Sequence, residues 1–285
     1  MNKTSFVFFG SPKFARIILE RLIEHKIIPS VLICNPDKPF GRKQIITPPP
    51  TKQLILGKNL PIKILQPSDK EELIEMVKNS DILKTQFGIV AAYAKILPQE
   101  LISAFPLGII GVHPSLLPLH RGPSPIQATI LDGDGTTGTT IFMLDDKTDH
   151  GAILGQEQME ISDFSWNYGK LEEALAYSSA NLLIRTLPLF AEGKTIPRPQ
   201  DEFKATYTRK FTTEEGFVDL RKDNPETVAR KIKALNPDPG VFTFIDQKRI
   251  KLLEIRKDSD GSIIITKIQP ESKKPQLAAF KLPLI

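Results

Sequence analysis

"SFVFFGSPKFARIILERLIEHKIIPSVLICNP" (5–36) decides the fold. An apolar run, "SFVFFG" (5–10), precedes a stretch in which Phe14, Ile17, Ile18 and Leu22 recur at helical spacing, and a second apolar run, "PSVLICNP" (29–36), follows. The outer runs read as strands and the middle as an amphipathic helix, with Pro12 tolerated in its first turn. Together they form a βαβ unit. The alternation continues through "IKILQ" (62–66), the helical "SDKEELIEMVKNSDILKTQ" (68–86), "FGIVAA" (87–92), a short helix "PQELISAF" (98–105) and "LGIIGVH" (107–113). Such alternation predicts an α/β fold, a Rossmann-like open and mostly parallel sheet with helices on both faces. Ligands bind such sheets beyond the carboxyl ends of the strands, where His113 stands.

Beyond His113, "IQATILDG" (126–133) fits a short helix, "TTGTTIFML" (136–144) a β-branched strand, and "AILGQEQMEI" (152–161) a returning, antiparallel one. "YGKLEEALAYSSANLLIRTLPLF" (168–190) makes a long helix with Leu171, Ala174, Leu175, Ser178, Leu182, Leu183 and Ile184 on its apolar face. The polar, proline-bearing stretch 191–205 is the expected linker between a domain at 1–190 and a smaller one at 206–285. In the latter, "NPETVARKIKALNP" (224–237) reads as a helix, and "GVFTFID", "KRIKLLEI" and "GSIIITKI" as short strands of a small β-rich barrel or sandwich.

Composition narrows the class. The 285 residues, 40% hydrophobic and 25% charged, suit a globular protein with one large domain and one small. The single cysteine, Cys34, cannot form an intramolecular disulfide, and neither a leader-like segment nor a long apolar run is present, so a reduced, cytoplasmic setting is expected. Charge is uneven: residues 206–285 carry 16 Lys and Arg against 11 Asp and Glu, while 1–205 balance. A basic surface on one small domain suits a polyanionic partner, or merely solvates that domain.

Few residues offer chemistry. The first βα turn has only Gly10, short of the three glycines of a dinucleotide fingerprint, and no P-loop lysine. The histidines are His25, His113, His120 and His150; no H-E-x-x-H motif or cysteine pair supports a metal site, and none is expected. An imidazole at a strand end with Asp149 on a polar loop supplies the parts for moving a proton during attack by a weak nucleophile.

"HPSLLPLHRGPSPIQ" (113–127) followed by "LDDKTDHGAIL" (144–154), with "AAYAKILP" (91–98) upstream, resembles the 10-formyltetrahydrofolate-dependent formyltransferases, and the likeness runs from "FFGSPKFA" through "KKP" (273–275). The resemblance implies that His113 polarises or protonates the formyl oxygen, that Asp149 orients the imidazole and helps manage the amine proton, and that 10-formyltetrahydrofolate is the donor. It also implies that Ser115, Leu116, Leu117 and Pro118 with Ala92, Tyr93, Ile96 and Leu97 form walls and backbone hydrogen bonds for the folate. By residue type alone Leu116, Leu117, Ile96 and Leu97 read as core, and Arg121 could meet the folate tail or a sheet carbonyl. The segment "NPDKPFGRKQIITPPPTK" (35–52) is similar to the insertion of the branch acting on initiator methionyl-tRNA, which implies that Lys38, Arg42, Lys43 and Lys52 seek its phosphates. "YTRKFTTEEGFVDL" (207–220) and "VARKIKALNPDPGVF" (228–242) are similar to the start of that branch's OB-like C-terminal domain, here shortened, and a monomer is expected.

One position departs from the family pattern N-x-H: Gly111 stands where an asparagine amide would bind the formyl oxygen. The alternatives are therefore a sugar-nucleotide N-formyltransferase, which lacks use for the basic segments, and a catalytically impaired tRNA-binding homologue.

Overall fold

The computed structural model describes residues 5–41, 43–78, 81–93, 95–161 and 163–282. In chain order the elements are β1 (Phe6–Phe9), α1 (Lys13–Glu24), β2 (Val31–Ile33), β3 (Lys38–Phe40), β4 (Ile45–Thr47), α2 (Pro50–Gly57), β5 (Lys63–Leu65), α3 (Lys70–Lys78), β6 (Phe87–Ala91), α4 (Gln99–Ile102), β7 (Ile109–His113) and α5 (Pro125–Asp132). They continue with β8 (Thr136–Met143), β9 (Ile153–Glu160), α6 (Tyr168–Ala191), α7 (Pro225–Leu235), β10 (Val241–Ile245), β11 (Lys248–Lys257), β12 (Ile263–Pro270) and β13 (Gln276–Lys281).

The main sheet has seven strands in the order β5-β2-β1-β6-β7-β8-β9. Pairing is parallel from β5 to β7 and antiparallel between β7 and β8, in the register Gly111 to Phe142 and His113 to Thr140. Apolar strands such as "FVFF" in β1 and "IIGVH" in β7 are buried along their whole length, as a sheet covered on both faces requires. On one side, Phe9, Ile33, Leu73, Leu101 and Phe105 belong to one core cluster. The chain winds from β1 outward to β5, then returns to β6 on the other side of β1. The sheet's switch point thus lies between β1 and β6.

By contacts the chain divides into two compact units that are discontinuous in sequence: residues 1–121, 138–158 and 172–206, and residues 122–137, 159–171 and 207–285. The segment expected as a linker, 191–205, lies in the first unit, where Arg198 and Ile153 exchange backbone hydrogen bonds of 2.7 and 2.8 Å. In the second unit β10 to β13 form a four-stranded antiparallel sheet in sequence order. Helix α7 opens on Asn224, whose side chain accepts the Glu226 N–H, and buries Val228, Ala229, Ile232 and Leu235. Among the described residues no helix is long and apolar enough to cross a membrane.

Candidate active site

Strand β7 ends at His113, whose side chain is only 7% exposed. The chain then turns through Pro114 to Leu119, and the turn is fixed from β8 and β9. The Thr140 hydroxyl donates to Ser115 O (2.7 Å) and accepts the Leu117 N–H (3.0 Å). The Gln156 amide donates to Leu117 O at 2.7 Å, the Ser115 hydroxyl to Leu119 O at 2.6 Å, and the Thr206 N–H to Pro118 O at 3.2 Å. This frame presents the His120 carbonyl 2.9 Å from His113 Nε2. A carbonyl can only accept, so Nε2 carries the hydrogen and Nδ1 is left for other work.

That second nitrogen faces Asp149, with Nδ1 and Oδ2 3.6 Å apart. Asp149 has φ +50°, a left-handed conformation few non-glycine residues adopt, of the kind that clusters at functional sites. Two residues on, a Cβ on Gly151 would stand 1.8 Å from the Met143 carbonyl, so only glycine lets the loop pass β8 so closely. The Gln200 amide fastens the loop on either side of His150, donating to the carbonyls of Asp149 and Gly151 at 2.8 Å each.

The remaining residues expected at the site divide. Ala92 (φ +48°) lines a cleft of about 290 Å³ with Ser11, Pro12, Asn35, Lys38 and Thr47, at the switch point beside the ends of β1, β2 and β6. Ile96 projects outward, 90% exposed. Tyr93 and Leu97, by contrast, are buried in the core cluster around Phe9, Tyr93 edge-on to Phe9, and burial raises the Tyr93 hydroxyl to about 12. Leu117 packs with Phe142 and Ile153, and Leu116 lies against Gly138. The Ser115 hydroxyl and carbonyl, both backbone groups of Leu117 and the Pro118 carbonyl each make a hydrogen bond within the chain, which fixes the shape of this turn.

Lys52 is engaged within the chain. Its ammonium lies 2.9 Å from both Asp37 oxygens and 2.6 Å from Gln66 Oε1, so its charge is neutralised on the spot. The Gln66 and Lys52 hydrogen bonds hold the Asp37 carboxyl below the usual range. Lys38 and Lys43 are exposed on or beside the β3/β4 hairpin, and Arg42 falls outside the described residues. Reading the sequence gave no part to Thr140, Gln156 and Gln200. They act across long chain separations, and each is an ordinary polar residue in its own neighbourhood.

At position 111 a Cβ would stand 2.4 Å from Phe142 Cε1, 2.5 Å from its Cζ and 2.7 Å from Leu144 Cδ1. The ring of Phe142 covers the glycine opposite it and makes this corner of the site apolar.

An α/β sheet with a strand-end histidine facing a loop aspartate has the parts of an acid–base site, and comparison with known proteins gives the chain's family. The profile described as "Formyl transferase" matches residues 3–187, and that of "Formyl transferase, C-terminal domain" matches residues 210–261. The chain belongs to the formyl transferase family. It is 37% identical over 250 residues to the methionyl-tRNA formyltransferase of Chloroflexus aurantiacus, covering 87% of this chain and 78% of that one. To the methionyl-tRNA formyltransferase of Kosmotoga olearia it is 36% identical over 292 residues, covering 94% and 92%. The fold is also that of HypX from Aquifex aeolicus, solved in complex with tetrahydrofolic acid: TM-score 0.66, 17% identity, 98% of this chain and 45% of that one.

Proposed function

We propose that this chain transfers the formyl group of 10-formyltetrahydrofolate to the methionine amine of initiator methionyl-tRNA. Its similarity to two methionyl-tRNA formyltransferases over most of its length supports the substrate pair. The pairing of His113 Nδ1 with Asp149 at 3.6 Å carries the chemistry. The folate supplies an activated formyl carbon. As the amine nitrogen bonds to it, the carbonyl pair moves onto oxygen, and collapse breaks the bond to the folate nitrogen, which leaves with a proton. The amine must lose a proton on the way. With Nε2–H held by the His120 carbonyl, the Nδ1 lone pair accepts that proton, and the Asp149 carboxylate stabilises the imidazolium formed. In its protonated form the same nitrogen donates to the developing oxyanion or to the departing folate nitrogen. The hairpin residues Lys38 and Thr47, which help wall the cleft, would bring the acceptor end of the tRNA to it.

The test offers charged initiator tRNA and an amino-sugar nucleotide to the chain, each with 10-formyltetrahydrofolate. Formyl product on the methionine amine alone is expected; product on the sugar amine instead would overturn the proposal.

A further inference from the structure

We infer that Gln200 is a positioning residue for this reaction, fastening the Asp149 loop by way of a fully buried arginine. The inference rests on the reading that Asp149 works with His113. Arg121 has no exposed surface, and a buried guanidinium is tolerated only where acceptors surround it. Two of those acceptors, Gln200 and Glu202, come from one short stretch. Gln200 Oε1 receives Nε at 3.0 Å and Nη2 at 2.8 Å, while Glu202 receives Nη1 at 3.0 Å and Nη2 at 2.6 Å. Because a guanidinium can only donate, the Gln200 oxygen must face it, which turns the amide NH₂ toward the two loop carbonyls. The loop is thereby held on both sides of His150, with Asp149 kept at φ +50°. Glu202 closes the circuit: its Oε1 lies 3.5 Å from His150 Nε2, and His150 Nδ1 lies 2.6 Å from Asp145 at the loop's start. Through these contacts with Gln200 and Glu202, Arg121 serves this strap.

Gln200→Glu separates the two halves of the device. A carboxylate still accepts from Arg121 but has no hydrogen for the loop carbonyls. The expected result is a kcat lower by about 10- to 100-fold, the loss that a slight misplacement of a reacting group brings. KM for tRNA and for the formyl donor should stay within about threefold, and amide exchange across 145–151 should quicken while the thermal midpoint holds. If Gln200→Glu does not fold, Glu202→Gln loosens the same circuit at its half-exposed end, and a smaller fall in kcat with unchanged KM is expected. A native kcat in the variant that folds, beside a slow Asp149→Asn, overturns the positioning role alone. If Asp149→Asn is itself as fast as native, the reading of the site falls and this inference with it. Equal losses in kcat and stability, without faster loop exchange, would mark the strap as merely structural and also overturn it.

Discussion

Position 111 faces Phe142 across the antiparallel pair of β7 and β8, and the aromatic ring lies over the glycine, a known way of covering a bare position in a sheet. Family resemblance puts an asparagine donor at this position, and loss of such a donor typically costs about 10²–10³ in rate. Restoring it is not a single step, because a Cβ at 111 would overlap the ring. Gly111→Asn is expected to destabilise the fold by about 1–3 kcal/mol through overpacking and to bring no gain in rate. With Phe142→Leu added, stability should recover and single-turnover transfer should rise about 10²-fold. A Gly111→Asn protein that melts at the native temperature and reacts faster would show that the ring yields freely. The glycine was legible in the sequence as a departure. The ring was not, because the pairing of 111 with 142 depends on a strand register that nothing local specifies.

At the scale of elements, the segment 35–52 folds as the β3/β4 hairpin followed by α2. Its strands were hidden from sequence reading: Phe40, Ile45 and Ile46 are all exposed, so no alternation of buried and solvated residues marks them. Strand β13 was missed for the same reason, its residues being mostly exposed. Strands buried on both faces, β1, β2, β6 and β7, were legible, as was the long helix α6. The basic residues of the segment differ in their surroundings: Lys38 and Lys43 are exposed, while Lys52 in α2 is paired with Asp37. Replacing Lys38 and Lys43 together by alanine should weaken tRNA binding and reduce the slope of log affinity against log salt by about 2, one unit for each lost phosphate contact. Lys52→Met should leave that slope in place and lower the melting temperature, since it strands Asp37 and Gln66 without their shared cation. Filter-binding titrations across a salt series distinguish the two. An equal change of slope for Lys52→Met would contradict the assignment.

Over the whole molecule, the units cut across the chain in a way that composition does not reveal. Helix α5 and residues 159–171 are grouped with the C-terminal sheet, although the sequence around them continues the α/β pattern. Several carboxylates in both units are held below their ordinary range by guanidinium, ammonium or amide donors. Glu202 is lowered chiefly by Arg121, and Glu215 falls from 4.5 to about 2 under the hydrogen bonds of Arg209 and the Thr212 N–H. In the unfolded chain these groups take up protons first as the pH falls, so their stabilisation is complete above pH about 4.5 and drains away toward pH 2. The melting temperature should therefore fall steadily over that interval, and Arg209→Ala should flatten part of the fall; an unchanged profile would remove Glu215 from the account. The central claim is that a protonatable His113, paired with Asp149, carries formyl transfer to the tRNA-bound amine. The most direct measurement is the single-turnover rate of formyl transfer to saturating charged initiator tRNA, for the native chain and for His113→Asn. The account predicts product from the native chain and a rate about 10²–10⁴-fold lower in the variant at equal tRNA affinity; equal rates, or tRNA binding by the native chain with no formyl product, would contradict it.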